Sequence, residues 1–328
     1  MDTFKGIVGQ DKAKKKLAFL LEGYQPTGIM PHLMFVAPKG CGKTTLAKAV
    51  AKSLLASGNV NKPKRFLEVN CSTIKGVRQF IDQIVMPFVL DKEVTILLDE
   101  CSELPRDLTM ALLTILNPNK ENKNVFSYDD NTFTFDFSKH TFLFATTEPQ
   151  TVFHALMDRC ERIDLEEYTL EHLGEIVSNS LKGVEIEATT LAKTSSVLRG
   201  NARSAQKMAN HIKQYLASRS KAKFEWRDWE VFSDVLGIFP LGLNPVEVRI
   251  LRILRDTKAG CTLTNIASKL GLSRSCVQKD FETYLQKLNL MEITVGGRRI
   301  TTKGWNYLKQ LETPNEPAVE PTTRVQIH

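Results

Sequence analysis

The sequence predicts an α/β domain with a parallel β-sheet, then a small all-helical domain, then a unit that pairs a helix-turn-helix with a β-hairpin. Three observations predict this order. Apolar runs alternate with helical stretches over residues 1–165, residues 166–240 carry helical patterns without a strong strand, and residues 243–311 show a helix-turn-helix pattern before two glycine-linked strands. Residues 312–328 are proline-rich with few apolar side chains, which predicts a disordered tail.

Four apolar runs in the first region have the length and composition of buried strands. They are HLMFVA (32–37), RFLEVN (65–70), VTILLD (94–99) and TFLFATT (141–147). Helical spacing at 43–57 and 106–116 separates them, which is typical of a parallel sheet covered by helices on both faces. A period-two pattern over 124–137, centred on Asp129-Asp130-Asn131, predicts a β-hairpin.

The composition is that of an ordinary globular protein, with 328 residues, 42% hydrophobic and 25% charged. The chain contains no run of 18 apolar residues, so no membrane span is predicted. The polar, basic start also lacks the apolar core of a secretory signal. The six cysteines are scattered without a CxxC pair, which favours free thiols in a reducing cytosol over a disulfide framework or a zinc site. We therefore expect a cytoplasmic protein without a membrane partner.

The stretch APKGCGKTT (37–45) follows a predicted strand and opens a predicted helix, which is the context of a phosphate-binding loop. Its first residue is alanine where such loops usually have glycine. Gly40 and Gly42 allow the turn that aims backbone N–H groups at phosphate oxygens, Lys43 reaches the β- and γ-phosphates, and the Thr44 hydroxyl ligates Mg²⁺. The predicted nucleotide-binding set of the loop is completed by Lys39, Cys41 and Thr45.

The end of the strand at 94–99 indicates what is done with the nucleotide. Asp99 is placed to hold Mg²⁺ through water, and Glu100 to polarise an attacking water, which favours hydrolysis of ATP over phosphoryl transfer to another substrate. The strand at 141–147 ends in two threonines and is predicted to lie between the nucleotide-bearing strands. Thr147 is the predicted residue that orients the water, with Thr146 as the alternative.

Six segments occur in an order and at separations that resemble the AAA+ ATPases, and among them the RuvB family of Holliday-junction branch-migration motors. The resemblance covers about residues 4–310. The segments are IVGQDKAKKKL, APKGCGKTTLA, ILLDE, FATTEP, ALMDRCERIDLEEYT and LRGNARSAQK.

The resemblance implies an AAA+ P-loop core, a helical lid, a C-terminal winged helix and a hexameric ring. It implies that Ile7, Val8 and Gly9 border the adenine through backbone contacts. It also implies that Arg159 is an arginine finger reaching a neighbouring subunit, and that Arg203 touches the γ-phosphate from the lid. A finger of this kind contributes on the order of 10³–10⁵ in rate.

The third unit carries most of the chain's excess positive charge. Residues 243–303 contain 11 Lys and Arg against 5 Asp and Glu, a surplus of 6, whereas the whole chain has a formal charge of +7. A basic patch of this size favours a polyanion partner.

The stretch from 262 to 293 has the pattern of a helix-turn-helix. Gly271 allows the turn, Ser273 is placed to cap the second helix, and Arg274 and Lys279 are predicted to be exposed on that helix and to contact DNA. The apolar face of the first helix is predicted to consist of Ile266, Ala267 and Leu270.

The following residues predict a wing. Two short strands are joined through Gly296-Gly297, and Arg298 and Arg299 are predicted to form its basic tip against DNA phosphates. A winged helix can also dock a protein, and the sequence leaves that alternative open.

The predicted function is an ATP-driven DNA motor for branch migration, with two alternatives left open: a clamp or helicase loader, and a nucleotide-switched DNA-binding regulator. The hairpin at 124–137 is shorter than we expect for the RuvB family, in which it docks the junction-binding partner RuvA. A RuvA-like partner therefore stays an open expectation, and the trimmed form suits a phage or mobile-element version. The segment DECSEL also lacks the histidine that commonly follows the acidic pair in that family.

Overall fold

A computed structural model describes residues 3–56, 62–257 and 260–313 of the chain. The chain divides into two compact units, Met1–Trp226 and Arg227–His328. Residues 314–328 of the predicted tail lie outside the described residues.

The first unit begins with the α/β domain. Its strands are β1 (Leu33–Val36), β2 (Arg65–Asn70), β3 (Val94–Asp99), β4 (Lys123–Tyr128), β5 (Asn131–Asp136), β6 (His140–Thr146) and β7 (Glu161–Asp164). Its helices are α1 (Asp11–Thr27), α2 (Lys43–Ser53), α3 (Val77–Phe80), α4 (Arg106–Ile115) and α5 (His154–Met157), with a wide π-type segment at Ile81–Val89 and short 3₁₀ turns at Cys71–Thr73, Cys101–Glu103 and Pro149–Thr151.

The predicted parallel sheet is confirmed, with strand order β2-β3-β6-β1-β7 and parallel pairing throughout. The four predicted apolar runs supply β1, β2, β3 and β6. Every residue of β6 is buried, because helices cover both faces of the sheet and two separate apolar clusters form there. The sequence missed β7, since ERID is short and mostly polar.

The hairpin is also confirmed, as β4 and β5 pair antiparallel from Lys123↔Asp136 to Tyr128↔Asn131. Asp129 and Asp130 form the turn, and Asp129 has a φ of 49°, the left-handed conformation that Asp tolerates in tight turns. All six cysteines are free, and burial raises the pKa of the Cys101 thiol to about 12.

The rest of the first unit after β7, referred to below as the lid, is mostly helical, with α6 (Leu170–Ser180), α7 (Ala188–Ser196) and α8 (Ala202–Ser218). The expectation of a purely helical region is corrected by two short strands, β8 (Glu185–Ile186) and β9 (Lys223–Phe224), which pair parallel. Two residues each are too few to show a strand pattern in the sequence. Asn201 caps α8 through its side-chain oxygen, which accepts from the N–H groups of Arg203 and Ser204.

The second unit carries the remaining elements. They are α9 (Trp226–Val235), α10 (Pro245–Asp256), α11 (Leu263–Leu270), α12 (Arg274–Cys276), α13 (Thr283–Lys287), β10 (Met291–Thr294), β11 (Gly297–Ile300) and α14 (Thr302–Glu312), with a π-type segment at Val277–Glu282 and a 3₁₀ turn at Pro240–Gly242. A buried apolar cluster joins α10, α11, the helical stretch 274–287 and α14. This is the predicted winged-helix arrangement of helices followed by a two-stranded wing.

Candidate functional site

A cavity of about 900 Å³ lies in the first unit, where the loop after β1 meets the ends of β3 and β6. Ligand sites of parallel sheets lie at this carboxyl edge of the strands. Its lining includes the predicted residues Ile7, Val8, Lys39, Gly40, Gly42, Lys43, Thr44, Thr45, Asp99, Glu100, Thr147 and Arg203. Gly9, Cys41 and Arg159 do not line it.

The loop between β1 and α2 has the backbone of a phosphate cradle. Gly40 and Gly42 have φ values of 80° and 92°, which side chains other than glycine rarely adopt. No side chain caps the first turn of α2, so its N–H groups are left for an anion. A methyl group at Gly40 would lie 1.9 Å from Asn201 Oδ1, so the close approach of the two segments also requires glycine.

Lys43 is half-buried at the start of α2, and its ammonium group donates to the carbonyl oxygens of Ala37 (2.8 Å) and Pro38 (3.2 Å). Burial lowers the pKa of Lys43, while Asp99 is the largest opposing influence. A charged group held in partial desolvation gains more from a bound polyphosphate than an exposed lysine would.

The Thr44 hydroxyl donates to Asp99 Oδ2 at 3.2 Å, which brings the two predicted Mg²⁺ residues together. Hydroxyl and carboxylate oxygens are the donor types that Mg²⁺ prefers. Asp99 ends β3 and Thr44 begins α2, so the sheet and the helix each fix one of the two groups.

Glu100 and Thr147 line the same cavity from the ends of neighbouring strands. Glu100 is exposed, with a left-handed φ of 56°, and such backbone conformations in residues other than glycine cluster at functional sites. Thr146 is buried, and its hydroxyl accepts from the Glu148 N–H at 3.0 Å. The geometry therefore favours Thr147 over Thr146 for a role in the cavity. β6 lies between β1 and β3, as the sequence predicts.

The N-terminal segment and the helices of the lid close the cavity from the other side. Lys14 donates from its ammonium group to the Ile7 carbonyl, which holds this segment on α1. Gly9 lies against α6, since a methyl group there would be 2.9 Å from His172 Nδ1. Arg203 lines the cavity from the first turn of α8, and the Ala202 N–H donates to the Gly40 carbonyl at 3.1 Å. The lid thus touches the phosphate loop directly.

Arg159 follows α5 and lies outside the cavity of its own chain. Its guanidinium donates to the carbonyl oxygens of Leu113 (3.0 Å) and Ala155 (2.8 Å) and to Asn117 Oδ1 (3.3 Å). These contacts hold the arginine on α4 and α5, away from the phosphate loop.

In the second unit, the helix-turn-helix has the predicted caps. Gly271 ends α11 with a φ of 72°, and the Ser273 hydroxyl accepts from the Cys276 N–H at the start of α12. Arg274 and Lys279 are both exposed, as predicted.

The wing requires a correction. β10 and β11 are joined by Val295 and Gly296, so these two residues form the tip, and Arg298 and Arg299 lie within β11. Val295 is fully exposed. The sequence placed the turn one residue too late, because the N–H and carbonyl groups of Arg298 pair with Cys261 and fix it inside the sheet.

The two arginines also differ in their surroundings. Arg298 is bound through Nε (2.8 Å) and Nη2 (3.2 Å) to Glu282, whose side chain is 1% exposed. That bidentate ion pair engages two of the three guanidinium nitrogens and attaches the wing to the helix, so the role of Arg298 as a DNA contact stays a prediction. Arg299 is exposed.

Comparisons with known proteins agree with this architecture. Residues 33–168 match the ATPase family associated with various cellular activities (AAA), and residues 240–309 match the RuvB C-terminal winged helix domain. The Holliday junction branch migration complex subunit RuvB of Thermotoga maritima is 26% identical over 315 residues, 92% of this chain and 90% of that protein. The RuvB subunit of Mycoplasmopsis pulmonis is 26% identical over 321 residues, 94% and 97% of the two chains. The chain therefore combines an AAA-type ATPase domain with a RuvB-type winged helix, and it resembles RuvB over most of its length.

Solved structures show the same fold. The T. maritima RuvB Holliday junction branch migration motor superposes with a TM-score of 0.74 at 22% identity, covering 94% of this chain and 97% of that one. In the described part of this chain, no single helix is long and apolar enough to span a membrane, although the bent pair Trp226–Gly242 and Pro245–Asp256 passes a test of length and composition.

Sequence reasoning missed several residues that line the cavity. Lys48 and Glu68 line it and form an ion pair of 2.6 Å. Lys48 is four residues after Thr44 on α2, and this spacing could have placed it on the same helical face. Tyr168 lies where β7 gives way to α6 and lines the cavity beside Gly42. The lid also contributes Ile176, Asn179, Ser180, Lys182, Ala202 and Gln206, for which no motif gave a signal.

Proposed function

We propose that this chain is an ATP-hydrolysing subunit of an oligomeric DNA motor that drives branch migration of Holliday junctions. One observation carries the proposal: a single chain combines a cavity lined by a phosphate loop and two carboxylates with a winged helix of the RuvB type. The relatives from T. maritima and M. pulmonis, which the chain matches over at least nine-tenths of their length, bear the name of a branch migration complex subunit.

In the proposed site, the N–H groups of the loop and the Lys43 ammonium bind the β- and γ-phosphates of ATP. Thr44 and Asp99 would hold Mg²⁺, and their 3.2 Å contact supports this assignment. When bound, the ion neutralises charge on the phosphate oxygens. Ile7 and Val8 border the adenine, while Gly9, which does not line the cavity, supports this segment by its close approach to His172. Cys41 is buried, so it contributes through the loop backbone.

The Glu100 carboxylate takes the proton of the attacking water, and the Thr147 hydroxyl orients that water. Removal of such a base leaves the phosphate-binding groups in place, so binding and turnover separate. Arg203 reports from the lid whether the γ-phosphate is present.

Arg159 completes a neighbouring subunit's site in a ring, most simply a hexamer. The support is its position: it is held on α4 and α5, outside the cavity of its own chain. An arginine supplied in trans stabilises charge on the transferring phosphoryl group.

The winged helix contacts duplex or junction DNA through Arg274, Lys279 and Arg299, all of which are exposed. Such contacts position the protein on phosphates without demanding a sequence. We place the protein on DNA in the cytoplasm. A RuvA-like partner subunit would dock on the hairpin β4–β5, where Val125 is 58% exposed.

The test is migration of a synthetic four-way junction with ATP by the wild type and by Glu100→Gln. We expect Glu100→Gln to bind ATP with near wild-type affinity while hydrolysis and migration fall by two orders of magnitude or more. Glu103→Gln, an exposed neighbour that does not line the cavity, is the matched control and should keep both activities.

The alternatives predict other outcomes. ATP hydrolysis that requires a sliding clamp or a helicase, without junction migration, would favour a loader. Binding of one DNA sequence with no ATP-driven movement would favour a regulator.

A further inference from the structure

Gln10 has an unusual backbone position immediately before α1. Its φ of 62° and ψ of 33° place it in the left-handed region, and its side chain makes no capping bond to the helix. This conformation carries a steric cost for residues other than glycine, because their Cβ comes close to the following carbonyl oxygen. The cost indicates that the side chain is needed where this backbone puts it.

The Gln10 carboxamide joins two segments that are far apart in the sequence. Nε2 donates to the Glu166 carbonyl at 2.7 Å and to the Cys41 carbonyl at 3.3 Å. Oε1 accepts from the Glu166 N–H at 3.0 Å. The two donors and the acceptor of the amide are thus all engaged.

The bond to Cys41 acts on the phosphate loop. The Cys41 carbonyl and the Gly42 N–H belong to one planar trans peptide and point in opposite directions. Gly42 lines the cavity, whereas the Cys41 carbonyl is held by Gln10 on the other side. Fixing the carbonyl therefore fixes the direction of the Gly42 N–H, at a residue whose φ of 92° is one that only glycine readily adopts.

The bonds to Glu166 act on the connection to the lid. The Leu165 N–H donates to the Val36 carbonyl at 2.9 Å at the end of the sheet, and the Tyr168 N–H donates to the Gly200 carbonyl at 3.2 Å in front of α8. Glu166 lies between these anchors, at the change from β7 to the lid. Its backbone is held to the core by Gln10 on both sides of the residue.

We propose that Gln10 is a positioning residue of the nucleotide site, which orients the Gly42 N–H toward the nucleotide phosphates and ties the phosphate loop to the connection between core and lid. The inference rests on the proposed function only in that the ligand is a nucleotide. Gln10 touches no reacting atom, so its effect is on binding of the phosphates.

The test measures binding of ADP and of AMP, by competition against a fluorescent ADP, in the wild type and in Gln10→Met. Methionine has a similar length but neither donates nor accepts strongly. We expect ADP affinity to fall about tenfold, the loss of one oriented hydrogen bond, and AMP affinity to stay within about twofold. With ATP, KM should rise about tenfold while kcat changes by less than threefold.

The matched control is Lys12→Met, which removes the exposed 2.6 Å ion pair to the Glu166 side chain and leaves the carboxamide contacts intact. It should bind ADP as the wild type does. Should Gln10→Met fail to fold, Gln10→Glu decides, because a carboxylate cannot donate to the two carbonyls and should weaken ADP binding at least as much.

Equal loss of ADP and AMP affinity would show a general loosening of the site and overturn the proposal, as would wild-type ADP affinity in a folded Gln10 variant. ADP binding needs no hydrolysis. A wild type that binds ADP but does not hydrolyse ATP would therefore contradict the proposed function, whereas the role of Gln10 would still be decided by the ADP and AMP affinities of its variants.

Discussion

The nucleotide cavity and the wing differ in how closely sequence position determines spatial position. At the cavity, Lys43, Asp99 and Thr147 come from separate segments, yet all line one space because each lies at or after the carboxyl end of a parallel strand. In the wing, Arg298 and Arg299 are adjacent, yet one is locked to a buried carboxylate and the other is exposed. Successive side chains of a strand point to opposite faces, so residues adjacent in the sequence can have different surroundings. The carboxyl ends of parallel strands, in contrast, meet at one edge of the sheet.

The largest expected effect is on ATP turnover and concerns Arg159, the proposed arginine finger. Its removal tests whether the cavity is complete within one chain. We expect Arg159→Ala to lower ATP turnover by about 10³-fold or more, because charge on the phosphoryl group loses its partner from the neighbouring subunit. ATP affinity should change little, since the arginine lies outside its own cavity. Steady-state hydrolysis and nucleotide binding measure the two effects.

Mixing two inactive variants tests whether Arg159 acts on the site of a neighbouring subunit. Lys43→Ala subunits keep the finger and Arg159→Ala subunits keep the phosphate loop, so mixed assemblies should regain part of the activity that each lacks alone. Arg162→Ala removes a nearby arginine whose guanidinium binds Asp164, and it should hydrolyse ATP normally. Full activity of Arg159→Ala by itself would exclude the finger.

The second effect concerns the two wing arginines. Arg299→Ala should reduce the slope of log K for DNA against log salt by about 0.9, one phosphate contact, without changing thermal stability. Arg298→Ala should lower the free energy of unfolding of the second unit by roughly 3–5 kcal/mol, because Glu282 is left buried without its partner. Salt-dependent DNA binding and thermal unfolding separate the two.

Each wing variant controls the other. A stable Arg298→Ala protein with a reduced salt slope would assign Arg298 to DNA contact. If neither variant changes DNA affinity or its slope, the wing is a docking surface for protein, and the DNA path must be sought elsewhere.

The same contrast explains what the sequence could predict. β1, β3 and β6 are continuous apolar runs, so their burial and their strand-end residues followed from composition. The wing register did not, because it depends on Arg298 pairing through its backbone with Cys261, far earlier in the chain. The contacts of Gln10 were equally invisible, since Glu166 is 156 residues away and no short-range pattern connects them.

The two units also bury polar groups in different ways. In the second unit, the buried Glu282 has a guanidinium partner. In the first, His32 is 6% exposed, its Nδ1 accepts from the Phe142 N–H at 3.2 Å, and its Nε2 has no hydrogen-bond partner among the described residues. The rings of Phe137 and Phe142 lie edge-on against it. Burial lowers the pKa of His32 from 6.5 to about 4.

The smallest effect follows from that unpaired imidazole. Between pH 6.5 and 4 the unfolded chain binds a proton at His32 and the folded chain does not. The contribution of neutral His32 to the free energy of unfolding is therefore fully present above this range and is lost as the pH falls through it. We expect a loss of about 2 kcal/mol at pH 5 relative to pH 8. His32→Asn keeps an acceptor near the Nδ1 position but cannot titrate, and it should remove this part of the slope.

Thermal unfolding from pH 8 to 5 provides the measurement, and the transition that ADP shifts upward identifies the first unit. His140, whose pKa burial also lowers, is present in both proteins, so only the difference between their slopes reports His32. Parallel pH curves for the wild type and His32→Asn would mean that the buried ring finds a partner on protonation, and the contrast between the two units would then disappear.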